Sequence, residues 1–471
     1  MKKKVVLYNP VAVFFDMPLA LLAIGSQLDQ SQYDVIIIDG RVDNDPWGKV
    51  KEACEGALCF GVTVLTGRPI VDAMYMSEKV KNLFPDLPIV WGGWHPSMFA
   101  AEILEETNAV DICVQSQGEE TFVDLVEHFE GHKDLAEITG ITYRDKFGYI
   151  HKTGKRHLKD MNELVPSDYT LIDVEKYFKR KKQRQFDYIS STGCRFRCTF
   201  CADPFVYERG WTGVNPERMG EEFEYWNGKY NFEDINFQDE TFFTKRKRVN
   251  EIAEQLINRN IGATWAGTLR GDQGNRMSNE EFDLVKKSGL RRVLVGVESG
   301  SQEMMDWLKK DVKMEHIWVT AEQCSKRDIA VIFPFIVGFP RESDESVKST
   351  MNMAMKLNKA HPLNTTPIFY FKPYPGSKIT QDAVSEGYQL PTTLQEWSDF
   401  DYVDSTGPWV SEEKYKLIER FKFYNKMAGR KHSIPTLPLK WIADLRLNNE
   451  LFQLPIEKYL VEYLMPKQSL S

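Results

Sequence analysis

No stretch of this chain is apolar for long enough to span a membrane. Histidine and cysteine are both scarce, eight and seven in 471 residues, which leaves little material for repeated zinc modules. Cys54, Cys59, Cys113 and Cys324 are scattered, and Cys59 and Cys113 lie inside apolar, strand-like runs. They read as buried thiols of a reducing compartment, not as a disulfide framework. No Gly-x-Gly-x-x-Gly opens the first strand-to-helix turn, which argues against a dinucleotide. The net charge of −8 speaks against a general binder of phosphate backbones, and no peptide-clasp or tRNA module is evident. Lys2-Lys3-Lys4 and Val5–Tyr8 imitate the start of a signal peptide. However, Asn9-Pro10 breaks the run, Asp16 follows and no small-residue cleavage site is evident, so a cytoplasmic protein is expected.

What is present is a group of three cysteines, Cys194, Cys198 and Cys201, at spacing i, i+4, i+7. Thiolates are the usual ligands of iron–sulfur clusters, which normally take four. Three leave one iron open, as a catalytic zinc keeps an open position. Gly193 allows close backbone approach, and Arg195 and Arg197 place positive charge beside an anionic cluster. Zinc is the alternative, but zinc sites repeat short Cys pairs or add His at set spacing, and neither follows Cys201.

Around this motif the chain alternates strand and helix. Val5–Tyr8, Val35–Asp39, Leu58–Thr63, Pro88–Gly93 and Ile112–Val114 read as buried strands with helices between them, and Glu119–Phe129 as a closing helix. That pattern predicts an α/β fold beginning with a doubly wound parallel sheet over residues 1–140. Ligands of such sheets sit beyond the carboxyl ends of the strands. Residues 141–185 read as a linker, with a hairpin at 142–151 and a basic run at 179–184 that is either a solvated face or an anion patch. From 186 to 385 six further strand–helix units follow, with strands at 186–189, 234–237, 263–267, 292–297, 330–337 and 367–372; they suit an incomplete TIM-like (β/α)6 barrel. Residues 386–471 read as a mainly helical segment. There Trp441, Ile442, Leu445, Leu451 and Phe452 are candidates to cap the barrel or cover a greasy substrate.

The Cys-x-x-x-Cys-x-aromatic-Cys pattern resembles the signature of the radical S-adenosylmethionine (SAM) enzymes. The resemblance implies a 4Fe-4S cluster whose open iron chelates SAM, and cleavage of SAM to a 5′-deoxyadenosyl radical. Gly61-Val62-Thr63, Gly92-Gly93-Trp94-His95-Pro96 and Gly118-Glu119-Glu120-Thr121-Phe122 are similar to the Rossmann-like cobalamin-binding domain fused to many of these enzymes. One glycine of the usual Gly-Glu-Gly-Glu turn is missing at Gln117–Glu120. Asp-x-His-x-x-Gly, which supplies an axial His to cobalt in methionine synthase and the mutases, is absent. Base-off cobalamin with no protein His on cobalt is therefore implied; a sheet that has lost its cofactor is the alternative.

The same resemblance assigns candidate contacts. For cobalamin these are Asn9, Thr63, Leu65, Thr66, Gly92, Gly93, His95, Gly118, Glu119 and Thr121, with His95 read as a turn or cofactor-tail contact in preference to a cobalt ligand. For SAM they are Asp239 or Glu240 on the ammonium, Arg270 on the carboxylate, Glu298 and Ser299 on the ribose or methionine moiety, and Phe200, Ile336, Gly338 and Phe339 about the adenine. A surface salt bridge is the alternative for Arg270. Arg341 stands where the family has glycine. Tyr374 is a candidate substrate contact or proton donor, with packing as its alternative. The implied activity is C-methylation of a small or lipid-like substrate, fed by an external electron donor such as flavodoxin or ferredoxin. The alternatives are a radical cyclase, ring-contraction or hydroxylation enzyme of tetrapyrrole or hopanoid-like metabolism, or a non-catalytic metal- or corrinoid-binding protein.

Overall fold

The computed structural model describes residues 2–400, 406–429 and 437–464. These form two compact units. The first holds residues 2–240, 254–264 and 374–400, and the second holds 241–253, 265–373, 406–429 and 437–464.

The first unit begins with β1 (Lys3–Asn9), α1 (Leu19–Ser26), β2 (Tyr33–Asp39), α2 (Pro46–Cys54), β3 (Ala57–Thr63), α3 (Pro69–Leu83), β4 (Ile89–Gly92), α4 (Trp94–Glu106), β5 (Ile112–Val114) and α5 (Glu119–Phe129). The strand order is β2-β1-β3-β4-β5, all parallel. The order reverses between β1 and β3, which opens a crevice at their carboxyl ends. The winding on two faces follows from residue alternation. Val6 and Tyr8 of β1 pack with Phe60, Val62 and Trp91 under α2, α3 and α4. Val5 and Leu7 point the other way, onto Leu21 of α1 and Phe122 and Val126 of α5. Cys54, Cys59 and Cys113 are buried free thiols here, as Cys324 is in the second unit. Burial pushes those of Cys54, Cys59 and Cys324 up to about 12.

The sheet extends further than the sequence reading placed it. The hairpin β6 (Ile141–Arg144) and β7 (Ile150–Lys152) adds antiparallel to β5, making seven strands. Residues assigned to the linker thus finish the first sheet. Part of the C-terminal segment does too: Leu394, Trp397 and Phe400 are buried in the core of its α2–α4 face.

Then come α6 (Val174–Lys181), β8 (Gln185–Tyr188), β9 (Ser191–Gly193), α7 (Asp203–Val206), β10 (Trp211–Gly213), α8 (Pro216–Tyr230) and β11 (Asp234–Phe237). β8 and β11 are parallel, and β9 and β10 form a small antiparallel ribbon. Two of the five residues of the basic run are ion-paired: Lys181 with the buried Asp187, and Arg184 with Glu175.

In the second unit β12 (Thr264–Arg270), β13 (Leu290–Gly296) and β14 (Ala330–Ile332) are parallel neighbours, and β15 (Phe335–Val337) pairs parallel with β16 (Ile368–Tyr370). The single strand expected at 330–337 is two, broken at Phe333-Pro334, where proline has no N–H to give a ladder. The helices Glu412–Gly429, Leu437–Asn448 and Ile456–Leu464 close this unit. Phe452 is buried against Phe421 and Tyr424, whereas Trp441, Leu445 and Leu451 are exposed. No helix among the described residues is long and apolar enough to cross a membrane.

One buried carboxylate ties the end of β2 to β1 and α6. Asp39 accepts from Arg41 Nε (2.9 Å), Asn9 Nδ2 (3.0 Å) and the Tyr177 hydroxyl of α6 (2.7 Å). Asp39→Ala leaves the Arg41 guanidinium buried without its partner. A loss of about 3–5 kcal/mol in urea unfolding is the expected outcome.

Candidate functional site

The cysteine loop is built by the β9–β10 ribbon, whose register sets Gly193 opposite Trp211 and Ser191 opposite Gly213. Gly193 has φ +86°, and a Cβ there would lie 2.3 Å from the Gly210 carbonyl oxygen, so only glycine fits. Beyond it Cys194, Cys198 and Cys201 follow in a turn in which Cys201 N–H donates to the Cys198 carbonyl (3.3 Å). Arg209 Nε donates to the Arg195 carbonyl (3.1 Å), and Ile379 N–H to that of Thr199 (3.0 Å). Phe200 is half-buried on this loop.

The three thiols act on one another. Cys201 is raised by burial, then by Asp203, with smaller contributions from Cys198 and Cys194. Among the described residues no three His, Cys, Asp or Glu side chains converge on one ion. Three cysteines on one loop are a donor set that suits an iron–sulfur cluster, in which each iron takes its own thiolate.

The two acids after β11 have different positions. Asp239 is buried and accepts from Ser190 N–H (2.7 Å), Ser190 Oγ (2.6 Å) and Ser191 Oγ. It pins the strand that leads into the cysteine loop, and its oxygens are taken. Glu240 is pushed up to about 8, first by burial and then by Asp203 and Asp239, while Gly193 N–H donates to it. Its Oε2 is buried with no hydrogen-bond partner. Of the pair, Glu240 is the one with an oxygen left to offer.

Glu240 lines a cavity of about 390 Å³ within the first unit. Thr63, Leu65, Gly92, Gly93, Gly118 and Glu119 line it from the carboxyl ends of β3, β4 and β5; Ile189, Thr192 and Tyr207 line it beside the cysteine loop. Gly93 has φ +100°, and a Cβ there would meet the Val64 carbonyl at 3.0 Å. Between α1 and α5 the cavity runs into a slot walled by Ala20, Ala23, Ile24, Gly61, Val90, Val114 and Phe122. An apolar slot of this kind suits a flat aromatic base, and the glycine-lined crevice suits a bulky ring. The residues therefore fit a corrinoid with its base detached.

The other expected corrinoid contacts are not among the residues lining the cavity. Asn9 is held on Asp39. Thr66 bonds His95 Nδ1 (3.2 Å), and Thr121 Oγ1 donates to the Thr139 carbonyl (3.3 Å). His95 is fully buried against Phe99 and Trp397, its main-chain N–H donates to Val64, and burial lowers it to about 4. It sits in the first turn of α4. Just before the β5–α5 turn Ser116 takes φ +63°, and its N–H donates to Ser97 Oγ (2.9 Å). Tyr374 packs edge-on against Phe400 at 5.8 Å. Sequence reasoning missed Tyr207, Gln27 and the linker residues Met161, Leu164 and Val165, all of which line the cavity. Only the position of Tyr207, shortly after the third cysteine, hinted at a role.

In the second unit the expected contacts are tied to one another. Arg270 is buried and donates to Asp272 (2.9 Å) and the Lys310 carbonyl (2.5 Å), so its salt bridge is interior, not on the surface. Lys310 Nζ reaches Glu298 at 2.6 Å, and Glu298 has φ +66°. Ser299 Oγ bonds Thr350 Oγ1 (3.2 Å). Ile336 N–H donates to the Glu298 carbonyl (2.7 Å). The amides of Gly338 and Phe339 donate to Glu342, and the Phe339 ring packs on Phe371. Arg341 adopts φ +68°, the conformation its usual glycine would take.

Two measurements check these assignments. Gly193→Ala is expected to lose most bound iron after anaerobic reconstitution, read by iron and sulfide analysis. His95 has a folded-state value below the unfolded one. Its contribution is thus present above about pH 6.5 and lost as the pH falls toward 4. The loss amounts to about 3 kcal/mol, and His95→Gln is expected to flatten the fall of unfolding free energy across that window.

Residues 188–354 match the radical SAM superfamily, and residues 11–126 match the B12 binding domain. An uncharacterised methyltransferase of Pyrococcus horikoshii is 24% identical over 86% of this chain and 86% of its own length. The anaerobic magnesium-protoporphyrin IX monomethyl ester cyclase of Rubrivivax gelatinosus is 26% identical, over 69% of this chain and 59% of its own. Among solved structures, the cobalamin-dependent radical SAM enzyme OxsB aligns with TM-score 0.76 at 18% identity, over 99% of this chain and 74% of that one. The methyltransferase TsrM of Kitasatospora setae aligns with TM-score 0.69 at 18% identity, over 83% and 76%. The chain thus carries a B12 binding domain followed by a radical SAM domain that holds the three-cysteine loop, the domain arrangement of the cobalamin-dependent radical SAM enzymes.

Proposed function

We propose that the protein methylates an unactivated carbon of a small or lipid-like substrate, using SAM both as radical source and as origin of the methyl group. A three-thiolate 4Fe-4S cluster supplies the electron that cleaves SAM, and a corrinoid carries the methyl group. The observation behind this reading is the shared cavity. Thr63, Gly93 and Gly118 line it on the crevice side, and Thr192, Tyr207 and Glu240 on the cysteine-loop side. A substrate bound there has both chemistries within reach, and its largely apolar lining keeps water away from a radical.

The protein's own residues have separable tasks. Cys194, Cys198 and Cys201 hold the cluster. Burial and the neighbouring Asp203 push Glu240 up to about 8, which favours its neutral form in the ligand-free protein. A bound ammonium beside Oε2 would stabilise the carboxylate, so that the proton is released to solvent and the group becomes a charged acceptor. Leu65 faces the crevice as an apolar floor. A one-electron donor of the flavodoxin or ferredoxin class and a reducing cytoplasm complete the reading.

The similarity to the cyclases favours one rival, oxidative ring formation, in which the same radical step proceeds without methyl transfer. Anaerobic reconstitution with iron, sulfide, cobalamin, SAM and dithionite tests both. The expected outcome is one cluster and one corrinoid per chain, with 5′-deoxyadenosine and S-adenosylhomocysteine both formed. A product heavier by one methylene unit supports methylation; loss of hydrogen or gain of oxygen supports the rival. Formation of neither nucleoside product overturns both and leaves a non-catalytic binding protein. Cys198→Ala is expected to abolish the cluster, and Glu240→Gln to weaken SAM binding about tenfold or more in equilibrium dialysis.

A further inference from the structure

The floor and one side of the cavity belong to the sheet, but its outer wall comes from the segment between the sheet and β8. Met161, Leu164, Val165, Ser167 and Tyr169 all line it. This stretch has no regular structure beyond two short turns, Met161–Glu163 and Tyr169–Leu171.

Its two ends are fixed firmly. At the first, Met161 N–H donates to Thr212 Oγ1 (3.1 Å), Asn215 N–H to Asn162 Oδ1 (2.7 Å) and Arg218 Nη1 to the Met161 carbonyl (3.0 Å). At the second, the buried Tyr169 donates its hydroxyl to the Asp187 carbonyl (2.8 Å), and Asp168 N–H donates to Ser26 Oγ (2.7 Å). The middle is held differently. Gln27 of α1 donates its Nε2 to the Val165 carbonyl (3.1 Å) and accepts from Val165 N–H at Oε1 (3.1 Å), as a neighbouring strand would. Among the described residues, this pair makes the hydrogen bonds that tie Leu164–Ser167 to the rest of the fold. Val165 and Pro166 are exposed on their outer side, so the fastening sits at the solvent boundary.

We infer that residues 162–168 are a strap over the base slot, pinned at both ends and latched by Gln27, and that the latch sets how fast the corrinoid leaves and enters. Gln27 is thus a positioning residue. It reads no feature of the ligand and holds the wall against which the detached base lies. The strap moves aside when two hydrogen bonds at the protein surface break, while the pinned ends and the sheet stay in place. The inference rests on the corrinoid reading of the cavity.

The test is a chase. Anaerobically purified protein is loaded with 57Co-labelled hydroxocobalamin, diluted into excess unlabelled hydroxocobalamin, and sampled by rapid gel filtration. Loss of the latch is expected to speed release about tenfold in Gln27→Ala. Gln27→Glu keeps the acceptor but not the donor and is expected to fall between Gln27→Ala and the parent. Iron content of each variant serves as the folding control. Release at the parent rate in both variants overturns the strap, and so does a lower melting temperature of the cobalamin-free variants without faster release. Failure of the parent to retain label overturns the corrinoid reading and the strap with it; retention by the parent with unchanged release in the variants overturns the strap alone.

Discussion

The cysteine loop depends on one buried carboxylate. Asp239 is charged or strongly polar inside an apolar fold, and such a group is stable only when its lone pairs are occupied. Ser190 and Ser191 occupy them with one N–H and two hydroxyls. The bonds fix the end of β8 against the end of β11 and aim β9 into its ribbon with β10. Gly193 then makes the bend that no side chain allows. The direction in which three thiols leave the fold is therefore decided by atoms that never touch a metal.

A second consequence concerns the neighbouring acid. The backbone that turns Asp239 inward carries Glu240 to the cavity wall, where its Oε2 finds no donor. Two adjacent carboxyls of the same chemistry thus have opposite environments, one saturated and one unmet. The sheet contributes a comparable division of labour. Glycines at the ends of β4 and β5 clear space, while Asp39, Asn9 and Tyr177 lock the opposite end of the crevice and take no part in lining it.

Much of this was legible in the residues. The strands of the first sheet announced themselves as short β-branched runs, because burial on both faces leaves no room for polar alternation. The three cysteines carried their chemistry in their spacing. What could not be read was tertiary. Asp239 and Glu240 are indistinguishable in a string, and only the serines beyond β8 tell them apart. His95, expected in a turn or on the cofactor tail, is enclosed by Phe99 and Trp397. Trp397 lies some three hundred residues away in sequence. Arg270 and Glu298, expected as SAM contacts, are paired with Asp272 and Lys310, partners that no motif announced. Linker residues 161–169 carried no motif, because a wall needs only bulk and a fastening.

The left-handed backbone at Arg341 has a bearing beyond this chain. It stands where a pattern keyed to glycine would report a gap, yet it traces the bend that glycine would trace. It forgoes about 1–2 kcal/mol of backbone comfort to gain a side chain at a loop apex. Curvature of the main chain is kept here independently of the letter that writes it. Searches that weigh torsion angles will collect relatives of this kind that letter-matching passes over.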